Sequence, residues 1–129
     1  MTSRALVDTS IFIADETGRP LDPDAFPDEL AISIITIGEL RAGVLAASDL
    51  VIRDRRLRTF TAALALDPIP IDSTVAERWA QLRVLLRDRG LRMGVNDSWI
   101  AATAMALDIP VLTQDDGFPE LVELQVRRA

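Results

Sequence analysis

Four acidic residues of this chain lie next to apolar runs, where their carboxylates could act together. Asp8 directly follows the apolar run 5–7, and Asp115 comes shortly after the run "VLT". Glu39 lies in "ITIGEL" and Asp97 in "NDSWIAA", both near the predicted start of a helix. Carboxylates that meet at one edge repel each other unless a cation lies among them. The group therefore predicts a site for a hard cation such as Mg²⁺ or Mn²⁺, which prefers oxygen ligands.

Each of the four acids also has a purely structural explanation. Asp8 could cap a following helix, and Asp115 could be a turn residue. Glu39 has the capping-box spacing from Thr36, and Asp97 could favour a helix N-terminus through its charge. For each residue taken alone, the sequence leaves the structural and the functional explanation open.

The residue types that the chain lacks narrow the chemistry further. It contains no His, no Cys and no Lys, so all 14 basic residues are Arg. This composition excludes a Ser-His-Asp triad, a His-ligated zinc site, thiolate chemistry and a Schiff-base lysine. An enzyme built from this chain must work with carboxylates, hydroxyls and Arg. The lack of Cys, of a signal peptide and of a long apolar run predicts a cytoplasmic protein without a membrane span.

Strand and helix signals alternate along the 129 residues, which fit one domain over residues 1–129. Strands are predicted at 5–8, 30–34, 69–71 and 109–113, with a further edge strand at 123–126. Helices are predicted from Ser10, after Thr36, from Ser48 or Asp49 to about Leu66, after Thr74 and from Asn96. The alternation favours an α/β sandwich around a short, mostly parallel sheet of four to five strands. In such sheets, sites form beyond the carboxyl ends of the strands, which is where the four acids lie.

The helix predicted after Thr74 has the clearest amphipathic pattern. Its apolar residues recur at helical spacing, and they are Val75, Trp79, Leu82 and Leu86. Trp79 is predicted to anchor this face in the core, and Gly90 to end the helix.

The net charge of −6 is distributed unevenly along the chain. Residues 1–52 carry a net −6, residues 53–92 a net +4 and residues 93–129 a net −4. The basic middle contains two clusters, one of Arg53, Arg55, Arg56 and Arg58 and one of Arg78, Arg83, Arg87, Arg89 and Arg92. These are either solvated helix faces or a surface for phosphate, which the Arg fork binds with two hydrogen bonds.

Three segments of the chain together resemble a known protein family. They are "LVDTSIFI", "ISIITIGELRAGV" and "NDSWIAATAMALDIPVLTQDDGF". In this order and spacing they are similar to the signature segments of PIN-domain ribonucleases, in particular the VapC-type toxins of bacterial toxin–antitoxin pairs. The resemblance runs from Leu6 to about Leu121 and implies a PIN-like α/β/α sandwich.

The resemblance implies a role for individual residues. It puts four acids at the catalytic, metal-binding positions: Asp8, Glu39, Asp97 and Asp115. It puts three hydroxyl residues beside them in supporting positions: Thr9, Ser10 and Thr113. The last motif departs from the family, because Asp116 adjoins Asp115 and Gly117 stands where a further acid is common. Asp115 has the better spacing from Thr113, but Asp116 could share or replace its role as a metal ligand.

The activity that the resemblance implies is Mg²⁺- or Mn²⁺-dependent hydrolysis of RNA by metal-activated water. The implied partners are a cognate antitoxin that covers the acidic edge, an RNA of the tRNA or ribosomal class, and a second copy in a homodimer. Few aromatic residues are present, which favours a structured RNA over a long single strand. The candidate RNA-binding residues are Arg53, Arg55, Arg56 and Arg58, and the candidate dimer contacts on the same helix are Leu50, Val51, Ile52 and Leu57.

Two alternatives belong to other functional classes. One is a receiver-like domain with an acidic Mg²⁺ pocket, and the other is a catalytically silent interaction module with the same kind of pocket. A receiver site needs a Lys, which this chain lacks. The lack of Lys also argues against a dehalogenase-type phosphatase, as does the sequence Asp8-Thr9-Ser10, because such an enzyme needs an Asp-x-Asp after its first strand. Cleavage of total RNA in Mg²⁺ and in EDTA separates these classes from a nuclease.

Overall fold

The computed structural model describes residues 2–129 and has the predicted alternation of strands and helices. The strands are β1 (Arg4–Val7), β2 (Glu29–Ala31), β3 (Val111–Thr113) and β4 (Val126–Arg128). The helices are α1 (Thr9–Thr17), α2 (Ile34–Ala46), α3 (Leu50–Leu64), α4 (Ser73–Asp88) and α5 (Val95–Leu107), with one 3₁₀ turn at Pro23–Ala25.

The four strands form one sheet in the order β2-β1-β3-β4, and every neighbouring pair is parallel. The predicted α/β class and the short, parallel sheet are therefore confirmed. Because β1 and β3 are adjacent, the chain that leaves β1 and the chain that leaves β3 emerge side by side at one edge of the sheet.

Helices cover both faces of the sheet, and the alternation of side chains along β1 explains why. Leu6 packs with Leu82 of α4 and Ile100 of α5 on one face. Its neighbours point to the opposite face, where Val7 packs with Ile11 of α1. A strand buried on both sides reads as a continuous apolar run, as "ALV" does.

The predicted third strand at 69–71 is wrong. Only Ile69 pairs, through a single parallel bridge to Ser33 with hydrogen bonds of 2.8 and 2.9 Å. Pro68 and Pro70 flank it and have no N–H group to donate, so the pairing cannot extend in either direction. The predicted edge strand at 123–126 is displaced, because the paired residues are Val126–Arg128.

Several predicted helix starts are also wrong, and side-chain caps explain the true ones. The Ser33 hydroxyl accepts a hydrogen bond from the Ile35 amide at 3.0 Å, so α2 begins ahead of Thr36. Asp72 caps α4 in the same way, which replaces the predicted capping box of Thr74. Asp49 caps α3, as one of the two predicted alternatives.

The amphipathic pattern of α4 is confirmed, with one refinement. Val75, Leu82 and Leu86 are buried, whereas Trp79 is half-buried and stacks on Trp99 of α5. Gly90 follows the helix with a φ of +65°, a left-handed conformation that favours glycine, so the predicted stop is confirmed.

None of the helices described within residues 2–129 combines the length and the apolar character needed to cross a membrane.

Candidate active site

A cleft of about 220 Å³ opens where the carboxyl ends of β1 and β3 meet the N-terminal parts of α1, α2 and α5. Its lining consists of Asp8, Thr9, Ser10, Ile13, Arg19, Glu39, Asp97 and Asp115. The structure thus brings all four predicted acids and two of the three predicted hydroxyl residues to one cleft. The third hydroxyl, Thr113, lies directly beneath it and is fully buried.

Asp8 is the residue between β1 and α1, and it is only 2% exposed. Its Oδ2 accepts hydrogen bonds from the Ser10 hydroxyl at 2.7 Å, from the Thr113 hydroxyl at 2.8 Å and from the Ser10 amide at 3.4 Å. Asp8 therefore caps α1 and lines the cleft at the same time. Every buried side-chain polar atom within residues 2–129 has a hydrogen-bond partner. The Asp8 Oδ1 takes none of the bonds above, so it is not a buried atom and faces the cleft.

The hydroxyl groups below the cleft connect Asp8 to the segment after β3. The Thr113 Oγ1 accepts from the Asp115 amide at 2.9 Å, and the Ser10 Oγ accepts from the Gln114 amide at 3.0 Å. The two hydroxyl oxygens are 3.1 Å apart. This network determines the direction in which the chain leaves β3 and therefore the position of Asp115.

The Thr113→Val substitution tests this network, because valine keeps the shape and removes the hydroxyl. We expect the free energy of unfolding to fall by about 1–3 kcal/mol, since Asp8 loses a donor and the Asp115 amide loses its acceptor. Urea denaturation in EDTA measures the change. Thr113→Ser is the control, because it keeps the hydroxyl; equal losses in the two variants would contradict a role for the hydrogen bonds.

Glu39 lies in the second turn of α2, so it is not the capping-box residue that its spacing from Thr36 suggested. Its Oε1 accepts from the Thr9 hydroxyl at 2.7 Å, and the Thr9 oxygen is in turn 2.9 Å from the buried Thr36 hydroxyl. Its Oε2 is 3.5 Å from the Asn96 side-chain nitrogen. Thr9 and Thr36 thus hold the Glu39 side chain against the cleft.

Asp97 is the third residue of α5, which begins at Val95 rather than at the predicted Asn96, and Gly94 precedes it without a side-chain cap. Burial, followed by the negative charges of Asp8, Glu39 and Asp115, raises the pKa of Asp97 to about 6.

The backbone of Gly117 comes close to the Asp97 carboxylate. A Cβ atom at position 117 would lie 3.0 Å from the Asp97 Oδ2, closer than nearly all real contacts of this kind. A side chain at position 117 would therefore displace Asp97. This close approach gives a physical reason for glycine at the position where the sequence departs from the family pattern.

The structure distinguishes the adjacent acids Asp115 and Asp116. Asp115 lines the cleft, and its pKa is raised by burial and by the charge of Asp8, with partial compensation from Arg19 and Arg128. Asp116 is outside the cleft lining, and its fully exposed side chain pairs with Arg128 at 3.0 Å. Only the first of the two is thus in place to join the other carboxylates.

Arg19 is a cleft residue that the sequence did not indicate. It follows α1 by two positions, and its Nη1 is 3.4 Å from the Gln114 side-chain oxygen. No local pattern pointed to it, because the side chain belongs to the turn after α1 and reaches the cleft only in the folded chain. Arg19 brings a positive charge among the four carboxylates.

The predicted RNA-binding cluster lies on α3, and none of its four Arg residues lines this cleft, although Arg56 lines a neighbouring cleft together with Glu39. Arg53 and Arg56 donate to the backbone oxygens of Ala47 and Gly43 at 3.0 and 2.7 Å. Arg58 forms an exposed ion pair with Asp54 at 2.7 Å, and Arg55 is exposed. Part of the hydrogen-bonding capacity of this cluster is therefore used within the fold.

The donor set of the cleft fits a hard divalent cation. It consists of oxygen ligands, and the pKa of Asp97 is raised by burial and then by the neighbouring negative charges, whose repulsion a cation would relieve. No group of three or more acidic side chains within residues 2–129 is by itself arranged to hold a metal ion. Water would complete the coordination, as is usual for Mg²⁺.

Comparisons with known proteins identify the family. The model of the PIN domain family matches residues 5–124 of this chain. Ribonuclease VapC4 of Mycobacterium tuberculosis is 48% identical over 124 residues, which cover 95% of both chains. Ribonuclease VapC5 of the same organism is 46% identical over 116 residues, covering 90% of this chain and 86% of that protein.

Solved structures agree with the sequence relatives. The structure of VapBC-5 from Mycobacterium tuberculosis, a member of the VapBC family of toxin–antitoxin systems, matches with a TM-score of 0.90 at 38% identity, covering 98% of this chain and 99% of that one. The structure of FitAcB from Neisseria gonorrhoeae matches with a TM-score of 0.72 at 27% identity, covering 95% of each chain. The chain therefore belongs to the PIN-domain family, and its relatives include the VapC ribonucleases of Mycobacterium tuberculosis.

Proposed function

We propose that this protein is a metal-dependent endoribonuclease and the toxin of a toxin–antitoxin pair. The observation that carries the proposal is the convergence of Asp8, Glu39, Asp97 and Asp115 on one cleft. The family relationship supports it, because VapC4 and VapC5 are named ribonucleases. A receiver-like site is not favoured, since the chain has no Lys.

The proposed ligands are the four cleft carboxylates, with Asp116 outside the set. Mg²⁺ or Mn²⁺ bound among them would supply a water molecule of lowered pKa and neutralise charge on the scissile phosphate. The protein itself contributes the positions of the ligands. Asp8 is fixed by Ser10 and Thr113, so its free oxygen keeps one direction.

The fold also positions two other carboxylates of the cleft. Glu39 is held by the Thr9 hydroxyl, and Asp97 is held in the first turn of α5. Arg19, at the same cleft, could hydrogen-bond a phosphate oxygen of the bound RNA with its fork of donors. Attack by water on phosphorus leaves a 5′-phosphate and a 3′-hydroxyl, with the proton passing to solvent and to the leaving 3′-oxygen.

The test is cleavage of total RNA by the purified protein, followed by mapping of the new 5′ ends. We expect 5′-phosphate ends in Mg²⁺ or Mn²⁺, no cleavage in excess EDTA and full recovery when the metal is returned. Asp115→Asn should lose most of the activity, and the matched change Asp116→Asn should keep the parental rate. Cleavage that persists in EDTA would overturn the metal mechanism.

The proposed partners are an antitoxin, an RNA of the tRNA or ribosomal class and a second copy of the chain. The proposed location is the cytoplasm. VapBC-5 is a member of the VapBC family of toxin–antitoxin systems, which supports an antitoxin for this chain. Its bound segment would cover the acidic edge. The contact of Arg53, Arg55, Arg56 and Arg58 with RNA stays a prediction.

A homodimer through α3 is expected because this helix exposes apolar side chains. Leu50 is 79% exposed and Val51 is 70% exposed, which is costly for a free surface. Sedimentation at micromolar concentration should show a dimer for the parent and a monomer for Val51→Lys. Val122→Lys is the control, since Val122 is 94% exposed elsewhere on the chain; a monomeric parent would contradict the dimer.

A further inference from the structure

A second cleft, of about 340 Å³, lies between the C-terminal half of α4 and the loop that leads to α5. Its lining residues are Arg83, Leu86, Arg87, Leu91, Arg92 and Met93. Residues 73–94 carry five Arg and two acidic residues in a chain whose net charge is −6. The cleft is thus a concentrated positive region on an acidic protein, and we call it the α4 cleft.

The guanidinium groups of the α4 cleft are available to a ligand. Arg83 lies over the Trp79 ring at 5.4 Å, and this cation–π contact restrains the side chain without using its N–H donors. Within residues 2–129, the one ion pair of Arg87 is with its neighbour Asp88, at 3.3 Å, and this pair is largely exposed and therefore weak. Arg92 forms no ion pair within residues 2–129.

Residues of α5 hold the Trp79 ring that lies under Arg83. Trp79 stacks on Trp99 with 4.5 Å between ring centres and 5° between planes, and its Nε1 donates to the Ser98 hydroxyl at 3.0 Å. These bonds hold the ring on which Arg83 rests. The stack therefore links the α4 cleft to the turn of α5 that carries Asp97.

The α4 cleft is close to the candidate active site along the chain. Arg92 precedes Asp97 by five residues, so even a fully extended segment would separate their Cα atoms by at most about 18 Å. A strand of RNA that enters the acidic cleft could reach the α4 cleft within a few nucleotides. The carboxylates of the active site repel the phosphates of the RNA backbone, and a nearby positive surface offsets this repulsion.

We propose that the α4 cleft binds backbone phosphates of the RNA that the candidate active site cleaves, an inference that rests on the proposed ribonuclease function. Arg83 and Arg92 supply bidentate donors to the phosphates, and Arg87 adds positive charge. Only a short stretch of chain separates the α4 cleft from the catalytic cleft, so one RNA could occupy both. A phosphate backbone is therefore favoured over an acidic protein segment. The α4 cleft is thus an RNA-binding surface in addition to the one proposed on α3.

The experiment compares two double variants that remove the same charge. Arg83→Gln/Arg92→Gln changes the α4 cleft, and Arg4→Gln/Arg41→Gln is the matched control, since Arg4 and Arg41 are exposed and line neither cleft. Binding of a fluorescein-labelled stem–loop RNA of about 20 nucleotides is followed by anisotropy in EDTA, where the RNA is not cut. We expect the α4 variant to bind at least tenfold more weakly than the parent, and the control variant to bind within twofold of it.

The salt dependence gives a second measurement. Each lost phosphate contact lowers the slope of log K against log salt by about 0.7–0.9, so the α4 variant should lose about 1.5 from the slope. The only two Trp residues of the chain are Trp79 and Trp99, so RNA bound at Arg83 should change the intrinsic fluorescence of the parent. Circular dichroism verifies that each variant is folded, and Arg83→Lys/Arg92→Lys, which keeps the charge, should retain part of the affinity.

The results separate this inference from the ribonuclease proposal. A parent that cleaves RNA in Mg²⁺, together with an α4 variant that binds RNA at parental affinity, would overturn the α4 cleft as an RNA site and leave the activity standing. Tighter binding of poly-glutamate than of the stem–loop RNA would also overturn it, in favour of an acidic protein ligand. Absence of cleavage by the parent would overturn the proposed function itself.

Discussion

We expect the Asp97→Asn protein to lose at least 99% of the RNA cleavage rate while it keeps or gains stability in the absence of metal. The proposed role requires the charge of Asp97, and one lost metal ligand or charge-stabilising group costs on the order of 10²-fold. Asparagine has nearly the same shape, so it fits beside Gly117, where the approach is close. Initial cleavage rates and thermal unfolding in EDTA provide the two measurements.

The sign of the stability change follows from the pKa of Asp97. Folding raises this pKa from its ordinary value of 3.8 to about 6, so the folded protein binds more protons than the unfolded chain in this range. The contribution of Asp97 to the free energy of unfolding therefore falls as the pH rises from about 4 to above 6, and its full loss is present at pH 8.

The Asn variant lacks this titration, which makes the pH dependence its diagnostic feature. Because Asp97 is half-buried, solvent screening reduces the gain at pH 8 to about 1 kcal/mol, or about 3 °C in melting temperature. Near pH 4 the gain should vanish. Added Mg²⁺ should stabilise the parent by binding the folded state and should stabilise the variant less. A large loss of stability in EDTA at pH 8 would show that Asp97 is structural.

The Glu39→Gln substitution should lower cleavage by about 10²-fold and raise the Mn²⁺ concentration needed for activity. Glutamine keeps an oxygen that can accept the Thr9 hydrogen bond, but it removes the charge that a metal site requires. The free energy of unfolding should stay within about 0.5 kcal/mol of the parent, because glutamine can keep the Thr9 bond and the 3.5 Å contact with Asn96 is long and therefore weak.

The matched control for Glu39 is Glu77→Gln, on the exposed surface of α4. It removes the same charge from a residue outside the cleft and should leave the cleavage rate unchanged. Parental activity in Glu39→Gln would remove Glu39 from the proposed metal site. An unfolded Glu39→Gln protein would mean that its contacts with Thr9 and Asn96 are essential to the fold.

The sequence by itself determined the fold class, because apolar runs such as "ALV" and the amphipathic pattern of α4 report burial directly. It also pointed to Asp8, Glu39, Asp97 and Asp115, since parallel strands end at one edge and each acid stands at a strand end or near a helix start. These signals are local in sequence. They remain valid in the folded protein because they report which residues of each element are apolar and where each element begins or ends.

The tertiary structure alone decided how the site is held together. The Thr9 contact with Glu39 spans 30 residues and the Thr113 contact with Asp8 spans 105, so no local pattern could reveal them. The same holds for Arg19 in the cleft and for the stacking of Trp79 on Trp99, both placed by packing. The spacing from Thr113 favoured Asp115 but left a role for Asp116 open, and the folded structure separates them, since Asp115 lines the cleft and Asp116 pairs with Arg128 in solvent.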